Sequence, residues 1–293
     1  MIVDPNPTPD SQLPLPGEPA IALPNNTHEP IESAEVGDEI ESAEPPGPSV
    51  LDDWIVYPSM GFGILVTTAL PIFLGQRICL PVLSALVLIP MFIWALREGR
   101  PRKAIQLGLF WAVVQSAVFV IAIVLLSDSA SQAVVGGVEF RSEWLSWIAN
   151  GSPVPRTPAL TLDRTVLELI VYSAAMFLTG SVAGLIGLAA AMDAFNFTAA
   201  SLLTQAARPL LMLLGAWPIW VIVRLVSYLT VGAVLAEPMV HLNLRVEFLL
   251  DWWHGRKRLL AIGLGLFVLS LLLQVLLTPL YRTLLQAALG LES

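Results

Sequence analysis

The sequence predicts an all-α membrane protein, a bundle of six or seven transmembrane helices that follows a disordered, acidic, proline-rich N-terminal tail. Two observations lead to this fold class. Of the 293 residues, 56% are hydrophobic and only 13% are charged, whereas soluble domains carry about 25% charged residues. In addition, several apolar stretches approach or exceed the ~20 residues that cross a hydrocarbon core of ~30 Å. A soluble globule is therefore excluded.

The N-terminal tail, residues 1–53, differs sharply from the rest of the chain. It holds twelve acidic residues and no lysine or arginine, and eleven of the 23 prolines precede residue 50. Such a segment cannot bury enough apolar surface to offset the entropy of ordering, which predicts disorder. It lacks the basic and apolar regions of a signal peptide. Its negative charge argues against nucleic acid as a partner.

The remaining residues, 54–293, form the predicted transmembrane helical domain. Five stretches are long and apolar enough to cross without difficulty, and a shorter sixth one precedes them. The predicted spans are 59–75, 78–96, 104–126, 165–192, 196–236 and 259–277.

The number of crossings depends on where the basic residues lie. Lysine and arginine beside span ends remain cytoplasmic, and two basic clusters occur, at 97–103 and 256–258. Six spans place these clusters on opposite sides of the membrane. Seven spans place them on one side, if 196–236 crosses twice with a turn at 215–218. The seven-span alternative gives a cytoplasmic tail and an external C-terminus in the cell membrane.

Two amphipathic segments, 139–149 and 241–253, mix tryptophan with charged residues. Tryptophan is enriched at membrane–water interfaces, so both segments are predicted to lie in the interface.

Arg224 is the strongest signal for a functional site. It lies within an apolar span, where an arginine costs about 2.5–3.5 kcal/mol on insertion scales and normally faces a partner inside the bundle. The candidate partners are Glu168, Asp193 and Glu237. Arg224 and a carboxylate could bind an anion or proton in a transport path, or form a structural ion pair. An arginine reaching towards the membrane boundary is a further alternative.

Small residues at four-residue spacing predict close helix packing in the fourth span. Gly180 and Gly184 form a GxxxG element, and Ala183, Gly187 and Ala191 continue the spacing. Small side chains allow two helix backbones to approach closely in lipid. The partner helix could belong to this chain or to a second copy in a homodimer.

No motif for enzymatic catalysis, nucleotide hydrolysis or metal binding occurs. One cysteine and three histidines argue against a metal centre, and the sequence predicts no cofactor. The expected partners are the lipid bilayer and other membrane proteins. Two functions fit: a non-enzymatic subunit or scaffold of a membrane assembly, and a transporter or permease component with a polar path around Arg224. A polar cavity reaching Arg224 would favour transport, and a solid core would favour the scaffold.

Overall fold

The computed structural model describes residues 50–76, 79–151, 162–241 and 246–291, and these residues form eleven helices and no strand. The helices are α1 Val50–Leu74, α2 Cys79–Leu86, α3 Leu88–Arg97, α4 Pro101–Leu125, α5 Ser127–Ala133, α6 Gly137–Asn150, α7 Leu162–Leu178, α8 Val182–Gln205, α9 Pro209–Gly215, α10 Ile219–Val240 and α11 Val246–Leu289.

The predicted all-α transmembrane bundle is confirmed. In the described residues, six helical segments are long and apolar enough to span a membrane. Large apolar side chains cover their outer surface: Phe62 is 70% exposed, Val113 70% and Leu276 72%. Exposed apolar surface of this extent marks contact with lipid or protein. The six segments are Trp54–Leu74, Cys79–Arg97, Pro101–Leu125, Val182–Gln205, Pro209–Val240 and Trp252–Leu289.

The helix contacts define two faces of the bundle. On one face, the Arg256 guanidinium donates hydrogen bonds to both the Glu237 carboxylate and the Gly99 carbonyl. The link between α3 and α4 therefore lies beside the end of α10 and the beginning of α11. We call this the basic face. The opposite face holds the beginning of α9 and the end of α11. There the Arg208 backbone N–H donates a hydrogen bond to the Ala288 carbonyl over 2.9 Å.

The described residues traverse the bundle seven times between these faces. α1, α4, α8 and α11 run away from the basic face, and α2–α3, α7 and α9–α10 run back towards it. α7 accounts for the seventh traverse; its 17 residues have a length of about 25 Å at 1.5 Å per residue. Both basic clusters therefore lie on one face, as in the seven-span alternative.

The seventh traverse, beyond the six of the alternative topology, comes from a different part of the chain than predicted. The span predicted at 165–192 is two antiparallel helices, α7 and α8, joined by a turn at Gly180 and Ser181, whose φ angles are 55° and 89°. The Ser181 N–H donates to the Met176 carbonyl over 2.9 Å, which is the six-to-one bond of a Schellman cap. α8 then runs without interruption to Gln205, so the boundary predicted between 192 and 196 was wrong.

The stretch 196–236, predicted to cross once or twice, reverses direction at 206–208, between α8 and α9, and not at the predicted turn at 215–218. The helix does break before Pro218, but the chain continues in the same direction. Contacts with α11 run antiparallel along the whole segment: Arg208 lies beside Ala288, and Gly215 accepts a hydrogen bond from the Tyr281 hydroxyl over 2.7 Å. Further along, Arg224 contacts Ser270, and the Ser227 hydroxyl donates to the Gly263 carbonyl over 2.8 Å. α9 and α10 therefore form one interrupted traverse.

The helix predicted over 139–149 exists as α6, but its aromatic side is buried in protein. Trp144 and Trp147 are 4% and 2% exposed, and Trp144 contacts the rings of Phe195 and Tyr281. In the second segment, 241–253, residues 242–245 lie outside the described part. The tail also lies outside it, except that α1 begins at Val50, before the predicted boundary at residue 53.

Candidate functional site

A cavity of about 480 Å³ lies between α6, α7, α8, α10 and α11. Arg164 at the beginning of α7 and Gly136 before α6 line it near the face opposite the basic one. Leu188 and Tyr228 line it deeper in the bundle. The cavity therefore extends from the opposite face towards the bundle centre, and Arg224 lines it.

Arg224 is hydrogen-bonded to two side chains of α11. Its Nε donates to the Ser270 hydroxyl over 3.4 Å, and its Nη2 donates to the Gln274 side-chain oxygen. Ser270 and Gln274 are buried and lie one turn apart, so both point from α11 towards α10. Among the described side chains, Nη1 has no hydrogen-bond partner. Because a guanidinium carries five N–H donors, Arg224 retains donor capacity on a residue that lines the cavity.

Glu168 is the one of the three predicted carboxylates that faces Arg224. It lines the same cavity from α7 and interacts electrostatically with Arg224. Among the described side chains the two groups form no direct ion pair. Glu168 and Arg224 lie at the same height in the bundle because α7 and α10 pack in parallel. One turn further along each helix, Tyr172 stacks on Tyr228, with 5.0 Å between the ring centroids.

Asp193 and Glu237 lie elsewhere. Asp193 is 2% exposed on the far side of α8, where its Oδ1 accepts a hydrogen bond from Gln115 Nε2 over 2.6 Å. Glu237 forms a two-pronged ion pair with Arg256, at 2.7 and 2.8 Å, on the basic face. The structure therefore pairs neither carboxylate with Arg224.

The small residues fall into three different environments. Gly180 lies in the α7–α8 turn. Gly184 packs against Met176, because a Cβ there would lie 2.3 Å from the Met176 sulfur. Ala183, Gly187 and Ala191 are exposed on α8, Ala191 at the cavity wall, and a Cβ on Gly187 would meet no atom within 4 Å. Close packing within the chain thus uses Gly184, and the continuation of the spacing faces outwards.

Sequence reasoning missed the polar residues that hold Arg224. Ser270 and Gln274 lie at i, i+4 spacing in the long apolar helix α11, and such a pair on one helix face was the available signal. The aromatic lining of the cavity was missed as well, because Trp144 on α6 and Trp220 on α10 are brought together only by the tertiary fold.

The comparisons with known proteins give no relative: no family model matches the chain, and neither the curated proteins nor the solved structures contain a significant match. The function must therefore be inferred from the structure.

Proposed function

We propose that this chain is a multi-pass membrane protein that binds an anionic molecule in the cavity around Arg224, as a transporter or permease component. The observation that carries the proposal is the polar cavity itself, which reaches an arginine held by buried side chains of a second helix. A solid core would have favoured a purely structural scaffold. Buried arginines inside membrane bundles commonly mark substrate or ion paths.

The charges around the cavity favour an anion. Among the described lining residues, Arg164 and Arg224 are cationic and Glu168 is anionic, so the lining carries an excess of one positive charge. A guanidinium hydrogen-bonds carboxylate and phosphate oxygens with matching geometry. The site therefore fits a ligand that carries one negative charge.

The rest of the lining favours an apolar body attached to that anionic group. Five aromatic rings, two of them indoles, line the cavity together with aliphatic side chains. Binding sites of this kind combine an apolar wall with a few polar groups that fix the orientation of the ligand. A medium-chain carboxylate has this chemistry. The aromatic residues are Phe140, Trp144, Phe195, Trp220 and Tyr228.

The basic face supports an orientation for the protein. Short loops rich in lysine and arginine stay in the cytoplasm, and the residues of both clusters lie on the basic face. The tail then enters from the cytoplasm, and the cavity receives its ligand from the other side of the membrane.

Ligand binding can be measured directly on the full chain in lipid nanodiscs, with empty nanodiscs as the partition control. Octanoate is the probe, and its entry is followed by the tryptophan fluorescence of the protein, to which Trp144 and Trp220 in the cavity wall contribute. We expect saturable quenching in the wild type. Arg224→Leu should weaken binding at least tenfold, because a hydrogen bond to a charged group contributes about 1.5–3 kcal/mol.

Two further variants make the result specific. Arg224→Lys keeps the charge but loses the fork geometry, so its affinity should fall between those of the wild type and Arg224→Leu. Arg258→Gln removes an exposed charge on the basic face and should bind octanoate like the wild type. Equal affinities in all four proteins would contradict the proposal.

A role as a membrane subunit is supported by a separate observation, the exposed small-residue face of α8. Ala183 and Gly187 lie on this face, which meets the cavity at Ala191, and small residues allow a partner helix to approach closely. A cysteine introduced at Gly187, in a Cys79→Ser background, should form a disulfide between two copies if the face is a homodimer contact. A protein that stays monomeric under oxidation would remove this alternative.

A further inference from the structure

A second group of polar side chains is buried between α4, α8 and the break before α10. Gln115 and Asn196 are 0% exposed and Asp193 is 2% exposed. Asn196 Oδ1 accepts hydrogen bonds from the Ser116 hydroxyl over 3.0 Å and from the Trp217 indole over 3.1 Å. This cluster is separate from Arg224 and is not needed for the function proposed above.

Within the cluster, Asp193 and Gln115 form an incomplete pair. Gln115 Nε2 donates to Asp193 Oδ1 over 2.6 Å, while Asp193 Oδ2 and Gln115 Oε1 are both buried and have no hydrogen-bond partner among the described residues. Both of these atoms are acceptors when the carboxylate is ionised. A buried carboxylate with a single neutral partner is strongly disfavoured in an apolar interior.

No charged group of the described elements packed around Asp193 compensates for a negative charge there. On α6, Arg141 comes near α8, but it lies 5.9 Å from the Phe197 ring and forms no ion pair with Asp193. The side chain that contacts the carboxylate is Gln115. The titratable and charged residues of the helices packed on α8 are Cys79 on α2, Arg97 on α3, Arg102 and Lys103 on α4, Glu139, Arg141 and Glu143 on α6, and Asp163, Arg164, Glu168 and Tyr172 on α7. Arg208 immediately precedes α9, and α10 carries Arg224, Tyr228 and Glu237.

We propose that Asp193 is a proton-binding site in the core of the bundle, which holds its proton in a cyclic acid–amide pair with Gln115. An O–H bond forms at Asp193 Oδ2, with the proton taken from water and returned to water on release. The new hydroxyl donates to Gln115 Oε1, while Gln115 Nε2 continues to donate to Asp193 Oδ1. A single proton, shared in this hydrogen bond, thus satisfies both unpartnered oxygens. A metal cation at the same place would need further ligands.

The proton site and the cavity lie on different sides of α8. Met192 and Ala194, the chain neighbours of Asp193, line the cavity, so α8 presents the cavity on one side and the proton site on the other. Adjacent residues of an α-helix are about 100° apart, so proton exchange with water requires a local opening of the helices around Asp193. Proton binding at Asp193 does not require that the cavity binds an anion, and either proposal can fail without the other.

Infrared spectroscopy of the full chain in lipid nanodiscs tests the proposal, because a protonated carboxyl has a C=O stretch well separated from that of a carboxylate and shifts in D₂O. We expect such a band at neutral pH, with a component that disappears completely in Asp193→Asn. The matched control is Glu237→Gln, since Glu237 is ion-paired with Arg256 and should not contribute to the band. Raising the pH should abolish the Asp193 component, and lowering it should restore it.

Unchanged acid bands in a folded Asp193→Asn protein would overturn the proposal. If that variant does not fold, Gln115→Leu decides, because loss of the amide acceptor should move the Asp193 band to higher frequency; an unmoved band would overturn the proposal. Sodium gives a third outcome. A wild-type protein stabilised by Na⁺ but not by K⁺ at constant pH, without an Asp193 acid band, would show a cation site instead.

Discussion

The α7–α8 hairpin makes a sharp prediction about two glycines on the same helix. A Cβ on Gly184 would lie 2.3 Å from Met176 Sδ, 2.5 Å from its Cγ and 3.2 Å from its backbone nitrogen, whereas a Cβ on Gly187 would meet nothing within 4 Å. Both alanine substitutions gain the same helix propensity, about 1 kcal/mol. The propensity gain therefore cancels when Gly184→Ala is compared with Gly187→Ala, and the difference measures packing alone.

We expect Gly184→Ala to be less stable than Gly187→Ala by about 1–3 kcal/mol, the usual cost of overpacking. The free energy of unfolding can be measured in mixed micelles by tryptophan fluorescence during denaturation with a harsh detergent. In a Met176→Ala background the sulfur and Cγ are gone, so most of the cost of Gly184→Ala should disappear, with a coupling energy of about 1–2 kcal/mol. Equal stabilities of the two glycine variants, or zero coupling to Met176, would refute the hairpin packing.

Two further predictions test the basic face. Cysteines at Arg100 and Lys257, in a Cys79→Ser background, should react with an impermeant reagent from the same side of sealed vesicles; labelling from opposite sides would contradict seven traverses. Glu237→Gln should lower the free energy of unfolding by about 1–3 kcal/mol, because it leaves the Arg256 guanidinium without its carboxylate, and the exchanged pair Glu237→Arg with Arg256→Glu should recover part of the loss in the same denaturation assay. A Glu237→Gln protein as stable as the wild type would show that the pair contributes nothing.

The fold class could be predicted from composition because the excess of apolar residues has only one physical solution, burial in lipid. The number of traverses could be inferred from the two basic clusters, since they constrain which ends share a side. The location of the additional traverse could not. Hydropathy does not register the turn at Gly180 and Ser181, whose residues are small and weakly polar, and the glycine that ends α7 resembles a packing motif.

The candidate site was only partly predictable for a related reason. Arg224 is conspicuous because a charge in an apolar span is costly, and Glu168 follows as one of few carboxylates available. The choice among Glu168, Asp193 and Glu237 depends on which helices are parallel neighbours, which one sequence does not contain. The neutral partners Ser270 and Gln274 carry no charge to attract notice, although they make the direct hydrogen bonds.

The central claim is that the cavity selects a negatively charged ligand through Arg224, and Glu168 provides its most direct test. The measurement compares the dissociation constants of octanoate and octylammonium, which share an apolar chain and differ in the sign of their charge, in the wild type and in Glu168→Gln. Removing the negative charge from the lining should tighten octanoate binding by about tenfold, or 1.4 kcal/mol, and weaken any octylammonium binding. Tighter binding of octylammonium than of octanoate by the wild type, or weaker octanoate binding by Glu168→Gln, would contradict the account.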